Sequence, residues 1–334
     1  MTNTGKPLLT IVIPCYNAEK YLDRCFRCLE DLDADEIEVL FVNDGSADAT
    51  EARLKAWMGK RTNARLFSKE NGGYSSAINA GLDHCRTDYV MFMGVDDEIV
   101  PQGLRRVCAQ LRENRPDLLA FTTVKYYDDV CDEIRCETDS MTRYRNEGFL
   151  RTDLLALCRQ DQERVWILFS RDTSRCFKTS VIGDLRYFGK TGISADGCFS
   201  SLVACRAKSF EFVNETCYYW HLHSDSVSGK EKSVKILTEE ADVWKSYLSA
   251  LPEALPARWL PDPVIYQFIA YHAVIAALRK AGIQTAVREH AACARRFVRW
   301  ALKNCDLSWR SRFKLMFPEL YLRLPNNKPF LSQE

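Results

Sequence analysis

The stretch Leu8-Leu9-Thr10-Ile11-Val12-Ile13-Pro14-Cys15-Tyr16-Asn17 is a β-branched apolar run that ends in a proline and a polar turn. Apolar side chains at nearly every position predict a strand covered on both faces over Leu8 to Pro14. From Ala18 to Leu32 the apolar residues change spacing. Tyr21, Leu22, Cys25, Phe26 and Leu29 fall at intervals of three and four, the stripe of an amphipathic helix. The alternation then repeats, with strands expected at Glu38 to Val42, Ala64 to Ser68 and Tyr89 to Met93. Helices are expected between them at Ala47 to Met58 and Ser75 to Cys85. Strand–helix–strand units of this kind build an α/β fold with a Rossmann-like, mostly parallel sheet flanked by helices. Right-handed crossovers collect the strand C-termini on one edge, where such sheets bind ligands. Three polar loops fall on that edge: Tyr16-Asn17, Asn43-Asp44 and Asp96-Asp97.

The middle of the chain is less regular. Leu118 to Tyr127 and Phe210 to His223 read as strands, and Tyr144 to Gln160 and Gly197 to Ala207 as helices. From Glu239 onward helices are expected at Glu239 to Ala250, Val264 to Ala281 and Thr285 to Lys303. Pro252, Pro256, Pro261 and Pro263 read as a rigid elbow between the first two. The expected domains are residues 1–235, split at 100 into a regular and a less regular half, and a helical C-terminal region, 236–334.

The chain has 334 residues, 46% of them hydrophobic, enough for a sizeable core. A net charge of +1 excludes the overall basic footprint of a nucleic-acid binder. The charge is uneven, because residues 256–334 carry 13 Lys and Arg against 5 Asp and Glu. Arg295-Arg296-Phe297-Val298-Arg299-Trp300 and Trp309-Arg310-Ser311-Arg312-Phe313 mix basic and aromatic residues at helical spacing. Two readings stay open for them: peripheral contact with the inner face of a membrane, or an apolar stripe packed inward under a solvated basic face. Fourteen cysteines show neither a second C-x-x-C nor a histidine pair that would complete a zinc site. With a polar Met1 to Pro7 segment and no apolar run of ~18 residues, the expectation is a cytoplasmic protein with reduced thiols.

Asp44 and the Asp96-Asp97 pair each follow a buried strand, where a carboxylate is costly unless a partner uses it. A solvated turn or a helix cap is the plain alternative for either site.

Four stretches resemble the nucleotide-binding half of a family 2 glycosyltransferase. They are Ile11-Val12-Ile13-Pro14-Cys15-Tyr16-Asn17, Val42-Asn43-Asp44-Gly45-Ser46-Ala47-Asp48, Glu70-Asn71-Gly72-Gly73 through Ala77-Ile78-Asn79-Ala80-Gly81, and Val95-Asp96-Asp97. The resemblance implies a GT-A fold and inverting transfer of a sugar from a nucleotide-diphosphate donor, UDP-sugar favoured, to a glycan or lipid-linked acceptor. Surface polysaccharide or glycoconjugate synthesis would be its setting, and hexosyl or N-acetylhexosaminyl groups its cargo. It assigns the nucleotide to Pro14, Tyr16, Asn17, Asp44, Asn71, Gly73, Val95 and Asp96. It also implies a Mn²⁺ or Mg²⁺ ion, held by Asp96 and Asp97 with His223 or, in its place, His221. Ser226 and Ser228 fall where the family closes over the diphosphate, and Asp196 in Ser194-Ala195-Asp196-Gly197 where it keeps its general base.

Two departures stand out. Gly94 occupies the place of the family's first motif carboxylate, and Ala195 that of the glutamate before the base. They motivate a second reading, a catalytically impaired nucleotide-sugar binder serving another transferase. A nicotinamide-dependent dehydrogenase would need G-x-G-x-x-G after the first strand, which Pro14-Cys15-Tyr16-Asn17 does not supply.

Overall fold

A computed structural model describes residues 6–59, 61–127, 135–138, 147–150, 169, 171–223, 233–255 and 260–323. It divides into two compact units. One comprises Met1–Arg151, Arg171–Lys190 and Ala207–Asp225; the other comprises Thr152–Ser170, Thr191–Arg206 and Ser226–Glu334. A boundary at 235 therefore does not follow the packing, since residues 191–206 group with the C-terminal helices.

The first unit is built on one sheet. Its strands are β1 (Leu9–Cys15), β2 (Ile37–Asp44), β3 (Ala64–Lys69), β4 (Tyr89–Phe92), β5 (Glu98–Ile99), β6 (Leu118–Tyr127), β7 (Arg135–Thr138), β8 (Glu147–Leu150), β9 (Arg175–Lys178) and β10 (Ser209–Leu222). They lie in the order β3-β2-β1-β4-β9-β6-β10-β5, with β7 on β6 and β8 on β10. Neighbours β3, β2, β1 and β4 are parallel. Short β9 reverses between β4 and β6, and β10 runs parallel to β6. The long strands thus share one direction, and their C-terminal ends share one edge, as the alternating pattern requires. The helix expected at Tyr144 to Gln160 is corrected in part: Glu147–Leu150 is an edge strand paired with Ser209 to Phe212. Local helical spacing lost there to hydrogen bonding with a distant strand, and the rest of that stretch lies outside the described residues.

Period-two alternation explains the layers. Leu9, Ile11, Ile13 and Cys15 enter one core with Leu22, Cys25 and Leu29 of α1 (Leu22–Leu29). Leu104, Val107 and Leu111 of α4 (Pro101–Asn114) join the same core. Helix α3 (Tyr74–His84) also packs on β1, while α2 (Thr50–Met58) packs beside β3. Each fully buried aliphatic side chain here contributes about 1.5–3 kcal/mol. Cys15, Cys25, Cys28, Cys108, Cys176 and Cys217 belong to this packing. Eleven cysteines are free thiols among the described residues, and burial pushes Cys28 up to about 12 and Cys25 well above its usual value.

The second unit is helical. After α5 (Thr179–Ile182) of the first unit come α6 (Ala195–Arg206), α7 (Val234–Ala254), α8 (Asp262–Lys280), α9 (Gln284–Asn304), α10 (Trp309–Met316) and α11 (Pro318–Arg323). Helix α8 is central and packs on α7, α9, α10 and α11. The elbow expected from Pro252 starts later. Pro252 lies in the last turn of α7, where the lost N–H removes a single hydrogen bond and buried Leu251 and Ala254 hold the turn. Pro263 sits in the first turn of α8, where no intrahelical partner is missed.

One buried polar chain crosses this unit. Ser201 Oγ lies 2.7 Å from the Tyr247 hydroxyl, which donates to Gln267 Oε1. Gln267 Nε2 donates to the carbonyls of Phe169 at 3.0 Å and Gly197 at 3.3 Å. We expect Gln267→Ala to strand these groups and to lower stability by about 3 kcal/mol in urea unfolding. Gln267→Glu, which keeps the shape but loses the donor, should lose a comparable amount.

Candidate active site

Asp44 is the last residue of β2 and is 3% exposed. Its pair across the ladder is Lys69, the last residue of β3. Lys69 Nζ stands 2.7 Å from Asp44 Oδ1, and the Gly72 N–H donates to the same oxygen at 3.0 Å. The Gly73 N–H donates to Oδ2 at 2.8 Å. A cation and two amides on one carboxylate fix the loop after β3, and Gly73 reaches its place through a φ of 87°. Asn71 stays exposed beside them.

The loop after β1 is stitched to the loop after β2. The Asn17 N–H donates to Ser46 Oγ at 3.0 Å, and Asn17 Oδ1 accepts from the Ala47 N–H at 2.8 Å. Pro14 is buried, whereas the Tyr16 ring is 55% exposed. Three consecutive strand ends are thereby tied into one rim.

The acidic loop follows β4. Two antiparallel pairs, Tyr218 with Ile99 and Tyr219 with Glu98, join β5 to β10 and draw the end of β10 over that loop. His223 Nε2 comes to 2.9 Å from Asp96 Oδ2, and the Tyr21 ring lies 5.2 Å from the imidazole. Arg24 donates to the Asp96 carbonyl at 3.3 Å and lies 3.9 Å from Glu98. Strand β1 alone separates the ends of β2 and β4. Asp44 and the acidic loop therefore sit about two strand spacings, ~10 Å, apart on one edge.

Asp97 and His221 turn to other partners. The Asp97 carboxylate accepts from the Tyr218 hydroxyl and from the His221 N–H at 2.8 Å. Burial, with Asp96 alongside, pushes its carboxyl well above the usual range. Its oxygens hold β10 in place. His221 Nε2 bonds Glu98 Oε1 at 2.8 Å, and its ring stacks 5.3 Å from Tyr126. His223 is the histidine seen bonded to the Asp96 carboxylate. Val95 packs against the first unit's core.

The missing carboxylate has a steric account. A Cβ on Gly94 would sit 2.6 Å from Asp97 Oδ2 and 2.8 Å from Asp96 Oδ1. The Gly94 N–H also donates to the Tyr218 oxygen at 2.9 Å. The Asp97 and Asp96 carboxylates fill the space that a side chain at 94 would need.

Asp196 lies in the first turn of α6, in the helical unit. Before it, Ser194 has φ 59° and donates from Oγ to Glu240 at 2.8 Å, and Ala195 is fully buried. Glu240, on α7 and 3% exposed, thus places a carboxylate beside the motif that lacks one at 195. Ser226 and Ser228 lie outside the described residues. Lys69, Tyr218, Arg24 and Glu240 carry the local electrostatics without having been singled out in sequence. Lys69 was the legible one, since it ends a strand next to the strand-end Asp44.

Asp96 and His223 offer one oxygen and one nitrogen donor at the loop, a set that suits Mn²⁺ or Mg²⁺ with phosphate oxygens and water filling the remaining positions. Among the described residues no three His, Cys, Asp or Glu side chains gather as a closed cage.

Known proteins resemble this chain in sequence and in fold. A model described as glycosyl transferase family 2 matches residues 10–175. The glycosyltransferase GlyA of Streptococcus pneumoniae is 24% identical over 252 residues, covering 75% of this chain and 34% of GlyA. The chondroitin synthase of Escherichia coli is 24% identical over 229 residues, covering 69% of this chain and 31% of that protein. The chain therefore spans about a third of the length of these two curated relatives. Among solved structures, Staphylococcus aureus TarS residues 1–349 with UDP-GlcNAc superposes with TM-score 0.66 at 17% identity, covering 94% of this chain and 87% of that one. The likeness shows a shared fold, of GT-A type.

Tyr218→Phe removes the donor to Asp97 and the acceptor for Gly94. We expect a loss of about 1–3 kcal/mol in urea unfolding. Gly94→Ala should destabilise by about as much through overpacking. Wild-type stability in both would contradict the role given to this lock.

Proposed function

The chain belongs to glycosyl transferase family 2, and from that premise we propose that it moves a sugar from a nucleotide-diphosphate donor to an acceptor hydroxyl with inversion. The observation that carries this reading is the Asp96–His223 pair at 2.9 Å on the same sheet edge as the Asp44 clamp. Asp44 and its glycine loop, with Pro14, Tyr16, Asn17, Asn71 and Val95, form the nucleoside side of the rim. Asp96 and His223 form the diphosphate side. A Mn²⁺ or Mg²⁺ ion held by Asp96 and His223 would offset the negative charge that grows on the departing nucleotide diphosphate. UDP-sugars are the favoured donors, supported by the UDP-GlcNAc bound to TarS. A hexosyl or N-acetylhexosaminyl group, and a role in polysaccharide or glycoconjugate synthesis, agree with the E. coli chondroitin synthase among its relatives. Asp196 is assigned as general base from its place in the family motif alone. Proton removal by a positioned carboxylate is worth about 10²–10⁴-fold in rate.

The second reading, an impaired nucleotide-sugar binder, is favoured by the buried Ala195 and the filled space at Gly94. One set of measurements separates the two. Nucleotide release should be followed over a panel of uridine, guanosine and thymidine diphosphate sugars, with Mn²⁺ and with EDTA. UDP binding should be followed by calorimetry. For a transferase we expect turnover abolished by EDTA, and Asp96→Asn or His223→Ala lowering kcat/KM by about 100-fold. Asp196→Ala should stop turnover while UDP still binds. Tight UDP binding without turnover in the wild type selects the binder, and no nucleotide binding at all removes both readings.

A further inference from the structure

Helix α10 is built inside out. At about 100° per residue, Ser311, Lys314 and Leu315 share one face, and all three are buried. Leu315 is 1% exposed, and Lys314 donates to the Tyr266 hydroxyl at 2.9 Å with its ammonium 4.2 Å from that ring. This face docks the helix on its own unit, and the Ser308 hydroxyl caps its start by accepting from the Ser311 N–H at 3.1 Å. The opposite face should then be polar. Instead, Trp309, Phe313 and Met316 fall within an arc of about 60° on the outward side. Trp309 is 74% exposed and Met316 48%. Phe317, 5.6 Å from Phe313 ring to ring, and Leu320 extend this apolar surface at 49% and 50% exposure.

The same geometry puts Arg310 and Arg312 on the two flanks of the arc, both exposed. The Arg310 guanidinium lies 5.5 Å from the Trp309 ring. An apolar ridge with an aromatic at its crest and cations along both sides matches a layered partner, anionic at the surface and hydrocarbon just below. The 13 basic against 5 acidic residues of 256–334 carry the same sign. No helix among the described residues is long and apolar enough to cross a membrane.

We propose that α10 and the start of α11 form a docking face for an anionic lipid surface, with Trp309, Met316, Phe317 and Leu320 entering the interfacial layer and Arg310 and Arg312 meeting headgroup phosphates. The face resolves the two readings left open for Trp309-Arg310-Ser311-Arg312-Phe313, since the apolar stripe at this helix points outward. It stands apart from the transfer reaction, so either can fail alone.

The test is co-sedimentation of the full chain with vesicles of phosphatidylcholine alone and of phosphatidylcholine with about one third phosphatidylglycerol, at low and physiological salt. Binding should require the anionic lipid and weaken with salt. The pair Arg310→Glu and Arg312→Glu, and separately Trp309→Ala with Met316→Ser, should each weaken it about ten-fold or more, with circular dichroism unchanged. No binding to anionic vesicles, or binding that both variants leave intact, overturns the proposal. Sedimentation velocity covers the other occupants. A dimer dissociated by Trp309→Ala with Met316→Ser would assign the face to a second copy, and vesicle binding that appears only after removal of 324–334 would assign it to that tail. Either result overturns the proposal too.

Discussion

The site depends on a two-residue ladder. Tyr218 and Tyr219 of β10 pair with Ile99 and Glu98, and this short antiparallel contact joins an acidic loop near residue 96 to a strand end more than a hundred residues later. Two backbone pairs are weak by themselves. The buried Asp97 carboxylate makes them specific, because it takes one hydrogen bond from the Tyr218 side chain and one from the His221 backbone. Burying a carboxylate costs several kcal/mol unless its hydrogen bonds are met, so the register that meets them is strongly favoured over its neighbours. A side chain at position 94 would then crowd the Asp97 and Asp96 carboxylates, and His223 falls beside Asp96.

The two strand-end acids have different electrostatic tasks. Asp44 is compensated within the fold by Lys69 and the glycine amides, and its charge is spent on shaping a loop. Asp96 faces His223, and together they set a carboxylate oxygen beside an imidazole nitrogen. The first arrangement is rigid and suits recognition of a flat ligand. The second sets one oxygen and one nitrogen donor side by side and suits coordination. That contrast, on one edge and with β1 between, is the physical basis of the proposed division into nucleoside and diphosphate sides.

In the helical unit one chain of polar groups is hidden inside an otherwise apolar core, and one apolar face is shown. Gln267, Tyr247 and Ser201 are joined inside, where each bond offsets the desolvation of its neighbours. Trp309, Met316, Phe317 and Leu320 stand outside, on a helix whose other face is already used. A face so composed costs stability in water and is retained where something covers it.

The sequence by itself determined the sheet's parallel half, because apolar runs and helical stripes are local patterns and right-handed crossovers then fix where strand ends go. It placed Asp44, Asp96 and the strand expected within Phe210 to His223 for the same reason. What it could not hold was direction of side chains across long separations. The approach of His223 to Asp96, the bonding of Asp97 to β10, the crowding at Gly94 and the strand at 147–150 all follow from pairing between segments distant in the chain. So does the outward face of α10: spacing shows that a helix has a stripe, but only packing decides which stripe is buried.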